Sequence, residues 1–416
     1  MKILKLTPKV ERELLRSRQE RDVTPHRTAL RIVEDVKKRG DAALHEWTKK
    51  FDGLDLGDGM WVPARDIEKA GSEAGKDLRR AIQHATRNIR AIAEKQLPRE
   101  WTLQVEPGVN ISQIVRPVEA IGCYIPGGRF SLLSTLLMTV IPAMVAGVKR
   151  ITVVSPGPNV ALLAAADILG VTRIARIGGA QAIAALAYGT RSVARVDKIF
   201  GPGNRFVTAA KHIVSNDCAI DLPAGPTEAI VLANNGNARW IAADLLAQAE
   251  HALDAGSFLV TTSRDFAERT QREVRAQLRM LPRENPAQIS ALRSGAILLA
   301  SSMNAACEFV NRFAPEHLSV PQKSDDLIKR LDAAGTIFIG PWSAQPFGDY
   351  ASGSNHVLPT GGRARGRAGL STADFVKCIT TQSISREGFE SLADDVEVLA
   401  RAEALLAHAK AVEVRR

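Results

Sequence analysis

Ile151-Thr-Val-Val-Ser155, Pro156-Gly-Pro-Asn159 and Val160-Ala-Leu-Leu-Ala-Ala-Ala-Asp-Ile-Leu169 form the stretch that decides the fold. A β-branched run passes through a Gly/Pro turn into an Ala-rich helix. The same unit recurs twice downstream. Ile174–Ile177 leads through Gly178-Gly179 to a helix over Gln181–Tyr188, and Val196–Phe200 leads through Gly201-Pro-Gly203-Asn204 to a helix over Phe206–Val214. Strands alternating with helices at this spacing predict βαβ units and a parallel sheet. After Gly225-Pro-Thr227-Glu228 the pattern starts again, with strands expected at Ala229–Leu232, Ser257–Thr262, Ala296–Ala300, Leu318–Val320 and Thr336–Gly340. The fold class is therefore α/β, with two Rossmann-like parallel-sheet domains of related construction.

Working outward, residues 1–20 read as a charged helical arm that ends before Thr24-Pro25. Helical spacing runs from Thr28 to Lys50, Phe51–Pro63 is a loop, and Ile67–Leu97 holds one or two long helices. Gly108–Val115 alternates as a strand. Beyond Leu370 a tail carries Ala373–Cys378 and then helices from about Glu387 to Val412, long enough to reach a neighbouring subunit.

A chain of 416 residues exceeds one small core, so two or more domains are expected. The formal charge is +10, from 55 Lys and Arg against 45 Asp and Glu. Lys37-Lys38-Arg39 and Lys49-Lys50 are interleaved with acids, and Arg363-Ala-Arg365-Gly-Arg367 has no aromatic neighbours. These read as solvated faces more than a nucleic-acid footprint, and a basic nucleic-acid-binding protein is the alternative from a different class. Cys123, Cys218, Cys307 and Cys378 form no CxxC pair, which points to reduced thiols in a cytoplasmic protein. The N-terminus lacks the apolar core of a signal peptide. Phe130–Val148 has no charge, yet Ser131, Ser134, Thr135, Thr139 and Pro142 make it a helix buried in the core and not a membrane span.

Four places could carry chemistry. Glu316-His317 lies between a helix (Ala305–Arg312) and a short strand, where an imidazole and a carboxylate supply two acid–base groups side by side. Taken alone, the pair is more simply a turn glutamate beside a locally satisfied histidine. Gln248 and His251, three apart at a helix C-terminus, share a face and could ligate a metal completed from elsewhere. Phe347–Thr360, with Asp349, Asn355 and His356, is a loop after the last strand, the kind of segment that carries function. Glu403 and His408 lie on a tail helix, five apart and so not on one face. The glycine turns sit where nucleotides bind parallel sheets. No G-x-G-x-x-G is present, so tight βα turns explain them equally well.

Together these pieces resemble the histidinol dehydrogenase family along almost the whole chain. The similarity runs through Gly122-Cys-Tyr124-Ile-Pro-Gly-Gly128, Ser134-Thr-Leu-Leu-Met138, Gly178-Gly-Ala-Gln181 and Val196-Asp-Lys-Ile-Phe-Gly-Pro-Gly-Asn204. It continues in Ala224-Gly-Pro-Thr-Glu228, Gln248-Ala-Glu-His251, Pro315-Glu-His-Leu318, Gly348-Asp-Tyr350 and Asn355-His-Val-Leu-Pro-Thr360. The resemblance implies two NAD-dependent oxidations of an amino alcohol, L-histidinol to L-histidine, on one zinc-bound substrate. It implies that Gln248, His251, Asp349 and His408 ligate Zn2+, and that Glu316 and His317 are the acid–base pair. It implies substrate contacts from Thr227, His356 and Glu403, with Ser134 as a further one, and an NAD site lined by Tyr124, Gln181 and Asn204.

The implied partners are a small-molecule amino alcohol and a second copy of the chain in a homodimer, whose tail completes the neighbouring site. No membrane or nucleic acid is involved. The implied division is an arm (1–20), a main domain (21–123 with 229–370) holding metal and acid–base residues, an NAD-side domain (124–228) and a tail (371–416). Thr227 stands where many members have Ser, and Ala247 and Ala252 also depart from common family residues. A relative oxidising another polar alcohol, such as a sulfonated diol, would share this scaffold. Glu403 beside His408 disfavours it, since a carboxylate repels a sulfonate.

Overall fold

The computed structural model describes residues 1–18, 24–57, 59–127, 132–222, 225–322 and 324–416. Gly128 and Ala224, the end of the arm at 19–20, and Phe130 with Ser131 lie outside them. In chain order the strands begin with β1 (Lys2–Lys5), then β2 (Trp101–Glu106) and β3 (Val109–Pro117). The first parallel set is β4 (Ala120–Tyr124), β5 (Arg150–Val154), β6 (Ile174–Ala175), β7 (Lys198–Phe200) and β8 (Ala219–Ile220). The second is β9 (Glu228–Leu232), β10 (Gly256–Thr261), β11 (Ala296–Leu299), β12 (His317–Val320) and β13 (Thr336–Ile339), and the tail adds β14 (Val376–Ile384).

Two parallel sheets form the body, as the sequence predicts. One has the order β6-β5-β4-β7-β8 and the other β1-β11-β10-β9-β12-β13. The helices of the quoted units fall at Val160–Leu169, Gly179–Tyr188 and Arg205–Val214, and two of them end in a glycine at positive φ, Gly170 and Gly189. The arm is helical from Pro8 to Ser17, started by the Thr7 side chain accepting from Val10 N–H. Its first residues add something the sequence reading did not contain. Lys2–Lys5 pairs in parallel with β11 as the edge of the six-stranded sheet.

Residues 24–96, which the sequence reading grouped with the six-stranded sheet, pack on the five-stranded one. The helix Thr24–Arg39 buries Ala29, Ile32, Val33 and Val36 against the helices Gly179–Tyr188 and Arg205–Val214. Lys76–Gln96 buries Ile82, Ala85, Ile89 and Ala93 against the helix Leu133–Ala146. The cause is β4, the central strand, which is buried on both faces and needs a helical layer on each. Each fully buried Ile contributes about 1.5–3 kcal/mol, enough for these stripes to fix where the helices lie. The 123/124 boundary therefore cuts through the fold, because Tyr124 closes the same strand that Ala120 opens.

The uncharged segment is the buried helix expected of it. Leu133–Ala146 is covered along nearly its whole length, and Thr139 satisfies its hydroxyl on the Thr135 carbonyl at 2.7 Å. Among the described residues no helix is long and apolar enough to cross a membrane. The tail strand β14 pairs antiparallel with β3, and the helices Arg386–Ala402 and Leu406–Glu413 pack on each other beyond it. Leu103, Val105, Val398, Leu399 and Leu406 leave this three-stranded appendage with an exposed apolar surface.

Gly201, at the carboxyl end of β7, carries the tightest backbone contact near the glycine turns. Its φ is +108°, and a Cβ there would stand 2.1 Å from the Tyr124 carbonyl oxygen. Gly201→Ala is expected to cost on the order of 2–4 kcal/mol, from left-handed strain and a clash with main chain. A depressed thermal midpoint of the purified variant checks this; an unchanged midpoint would refute it.

Candidate active site

Two segments set side chains at the amino edge of the six-stranded sheet. Thr227 and Glu228 enter β9 while Glu316 and His317 enter β12, and the two strands pair with His317 beside Ala229. Both Glu316 and His317 are buried, at 7% and 3% exposure. Glu316 Oε2 accepts from the Thr227 hydroxyl at 2.5 Å and from the Glu228 N–H at 3.1 Å. Behind it, Arg18 binds the Glu228 carboxylate through two nitrogens and lies over the Phe313 ring at 3.7 Å. The arm therefore braces the back of this site.

A chain of amides runs through the same cluster. Gln248 Nε2 donates to Thr227 Oγ1 at 2.9 Å, and its Oε1 accepts from Gln345 Nε2 at 2.6 Å. The Gln345 amide also faces His317 Nδ1 at 3.3 Å. The His317 ring lies 3.9 Å from Glu316 Oε2 on one side and 3.7 Å from Asp349 Oδ1 on the other. Burial opposes charge on this imidazole, but Glu316 and Asp349 outweigh it and raise its pKa. Burial raises Glu316 as well, with His317 and the Thr227 hydroxyl pulling against it. Asp349 goes the other way: burial works to raise it, and the hydrogen bond and charge of His317 bring it below its ordinary range.

Asp349 lies on a short helix, Gln345–Tyr350, started by Pro346 in its first turn. The sequence reading left this as loop. From Ala351 the chain does become irregular, and it ties the two sheets together. Asn355 donates to the Met138 carbonyl at 2.7 Å, and Gly225 N–H donates to Thr360 Oγ1 at 2.5 Å. His356 is held between the Asp349 carbonyl at 2.8 Å and Thr135 Oγ1 at 3.3 Å, and burial lowers its pKa, which keeps it neutral. Ser134, one position before Thr135, is buried at the start of the same helix.

His251 is exposed, with Nδ1 on the Ala247 carbonyl at 2.9 Å, so Nε2 keeps its lone pair. The ring lies close enough to bear electrostatically on Glu316, Asp349 and His356. Glu403 and His408 do not join it. Both are exposed on the tail, whose last helix packs on its neighbour helix.

Tyr124, Gln181 and Asn204, which the resemblance assigns to NAD, follow strands at the carboxyl edge of the five-stranded sheet, whose order reverses between β4 and β7. Tyr124 ends β4, and its hydroxyl accepts from Gly179 N–H at 3.2 Å. Asn204 caps the helix after β7 by accepting from Phe206 and Val207 N–H. Gln181 Nε2 donates to Asp52 at 3.2 Å, while its Oε1 is buried with no partner among the described residues.

The family model described as histidinol dehydrogenase matches residues 15–416. The chain belongs to the histidinol dehydrogenase family. It is 45% identical over 396 residues to the histidinol dehydrogenase of Methanosarcina mazei, covering 93% of this chain and 91% of that one. It is 46% identical over 390 residues to that of Mannheimia succiniciproducens, covering 92% and 91%. The crystal structure of histidinol dehydrogenase from Elizabethkingia anophelis superposes with a TM-score of 0.93 at 38% identity, covering 100% of this chain and 98% of that one. The chain is accordingly an oxidoreductase of this family.

Donor chemistry fits the metal that the family implies. Asp349 is a buried carboxylate whose compensating charges are histidines, with no Lys or Arg on it among the described residues. A cation there would relieve the cost of burying it. Gln248 oxygen, His251 Nε2 and Asp349 oxygen supply three hard or borderline donors, yet among the described residues no group of three or more His, Cys, Asp or Glu could hold a metal. The set needs an amide and a ligand from outside the cluster. The orphaned Gln181 oxygen and the reversal at β4/β7 fit a dinucleotide in the same way. Sequence reasoning missed three residues here: Gln345, Thr135 and Arg18. Only Pro346, a first-turn signal, could have pointed to the helix that carries Gln345.

Proposed function

We propose that the enzyme is a zinc-dependent histidinol dehydrogenase that oxidises L-histidinol through the aldehyde to L-histidine with two NAD, the last step of histidine biosynthesis. The observation that carries this reading is the joint burial of Glu316 and His317 within one hydrogen-bonded cluster with Asp349, Gln248 and Thr227. Gln248, His251 and Asp349 would hold zinc, with His408 of a second copy as the remaining ligand. Bound zinc would orient the substrate amine and imidazole and polarise the reacting centre, while NAD accepts hydride.

This chain's residues handle the protons. His317 takes the hydroxyl proton as the first hydride leaves the carbinol carbon. Glu316 takes a proton from the water that adds to the aldehyde, and His317 serves again as the second hydride leaves the hydrated carbon. Burial holds Glu316 above the usual carboxylate range, which makes it a better proton acceptor than a surface glutamate. Thr227 is engaged on both sides, so its contact to substrate would pass through the hydroxyl shared with Glu316. Glu403 of the second copy would face the substrate imidazole, with His356 and Ser134 lining the near wall. Tyr124, Gln181 and Asn204 would line the nicotinamide dinucleotide.

A homodimer is part of the proposal. The exposed apolar surface on the tail appendage needs cover, and the site lacks its tail residues within one chain. Counting NADH formed per L-histidinol tests the function. Two equivalents are expected, lost on treatment with a chelator and restored by Zn2+. One equivalent, or turnover indifferent to the chelator, would overturn it.

A further inference from the structure

The active-site residues occupy the amino edge of the six-stranded sheet, yet α/β sheets take ligands at the carboxyl edge, in the crevice where strand order reverses. In this sheet the reversal falls between β9 and β12, since β10 and β11 lie to one side of β9, and β12 and β13 lie to the other. A cleft of about 100 Å³ opens there, lined by Asn235, Asn237, Trp240, Asp244, Gln322 and Ser343. The candidate active site makes no use of it.

Two features of the cleft point to one ligand chemistry. Asp244 is half-buried, one turn before Gln248 on the helix Ala238–Ala249. Its carboxylate makes no hydrogen bond or ion pair among the described residues. Burial pushes it up to about 6, with no cation on the protein to bring it back. Trp240, which lines the cleft, meets Trp342, which lies between the lining residues Pro341 and Ser343, with ring centroids 5.0 Å apart and planes tilted by 45°. They stay 41% and 77% exposed, a large aromatic area left to solvent beside an uncompensated acid. Indole faces attract cations, and a desolvated carboxylate is stabilised by one. The amides cannot supply that charge: Asn237 caps its helix by accepting from Arg239 N–H, and Gln322 donates to Asn235.

We infer that this crevice is a second small-molecule site that takes a small organic cation, a protonated or alkylated amine, between Asp244 and the Trp240–Trp342 pair. The cation's charge lies against Asp244 and its alkyl surface against the indoles. Binding there is separate from turnover, because the strands run between the crevice and the catalytic pair.

The test uses the full-length zinc-loaded enzyme labelled with ¹⁵N-tryptophan, titrated with trimethylammonium and separately with its uncharged analogue neopentyl alcohol. Assignment by Trp240→Phe and Trp342→Ala identifies the two indole signals among the five tryptophans. Trimethylammonium is expected to shift those two saturably, with at least tenfold weaker binding in Asp244→Asn and in Trp342→Ala. Neopentyl alcohol is expected to shift neither. L-histidinol turnover by Asp244→Asn is expected at the wild-type level, which separates this site from the catalytic one. Equal response to the neutral analogue, or full binding by Asp244→Asn, would overturn the assignment. A change of assembly size in Trp342→Ala by sedimentation would overturn it too, by making the tryptophans a protein interface.

Discussion

His317→Asn is expected to lower kcat for alcohol oxidation by about 10²–10⁴-fold, the range that general base catalysis contributes, while bound zinc stays at the wild-type level. The ring stands between two carboxylates, 3.9 Å from Glu316 and 3.7 Å from Asp349, and it faces Gln345 through Nδ1. Asparagine keeps a polar group of similar reach toward Gln345 but has no nitrogen that accepts a proton near neutral pH. Asp349 loses its imidazole neighbour, but its carboxylate, His251 and Gln248 all remain, so metal content should not fall. Turnover of added aldehyde separates the two oxidations. Metal analysis beside both assays checks the result. A variant that loses zinc would make His317 a ligand, and one that keeps its rate would remove it from the chemistry.

Glu316→Gln and His408→Asn are each expected to form almost no L-histidine alone and to recover that activity when unfolded together and refolded. Glu316 belongs to the buried cluster, whereas His408 lies exposed on a tail helix that packs on its neighbour helix. If the tail reaches across a two-fold dimer, each mixed dimer holds one site with both defects and one with neither. Random pairing then restores about one quarter of wild-type sites. Activity that stays at the level of the separate variants would show that the tail serves its own chain. The Glu316→Gln result also has a clear single-variant signature. Its amide can still accept from Thr227 but cannot take a proton from water, so the aldehyde should accumulate.

The repeating units were legible because a parallel sheet buried on both faces demands β-branched runs, and each crossover demands a turn that only Gly, Pro or Asn makes cheaply. Val160–Leu169 is helical over the very residues expected, and β9 to β13 each fall within a residue or two of the sequence reading. Lys2–Lys5 was not legible. Lysines at both ends of a four-residue strand are what an edge strand uses to stay unpaired with other molecules, and they imitate a charged helix. The placement of residues 24–96 was hidden for another reason: an amphipathic stripe states that a helix is covered, not by which sheet. At the site, Glu316, His317 and Asp349 stand out by chemical type. Gln345 does not, because a neutral amide acquires meaning only when folding sets Gln248 and His317 on either side of it.

The pairing of β1 with β11 also sets a timetable for synthesis. Lys2 lies beside Ala296, so the first strand made has no partner until some three hundred residues have been added. At roughly 5–20 residues per second, that wait is on the order of 15–60 s. Arg18 waits as long for Phe313, and about two-thirds as long for Glu228. Through that interval β4 to β8 and their helices can close around their own contacts, leaving a nascent chain that is folded in its middle and open at its start. Ribosome-bound chains halted before and after residue 300 would differ most at Met1–Leu6, which a protease added during translation could read directly.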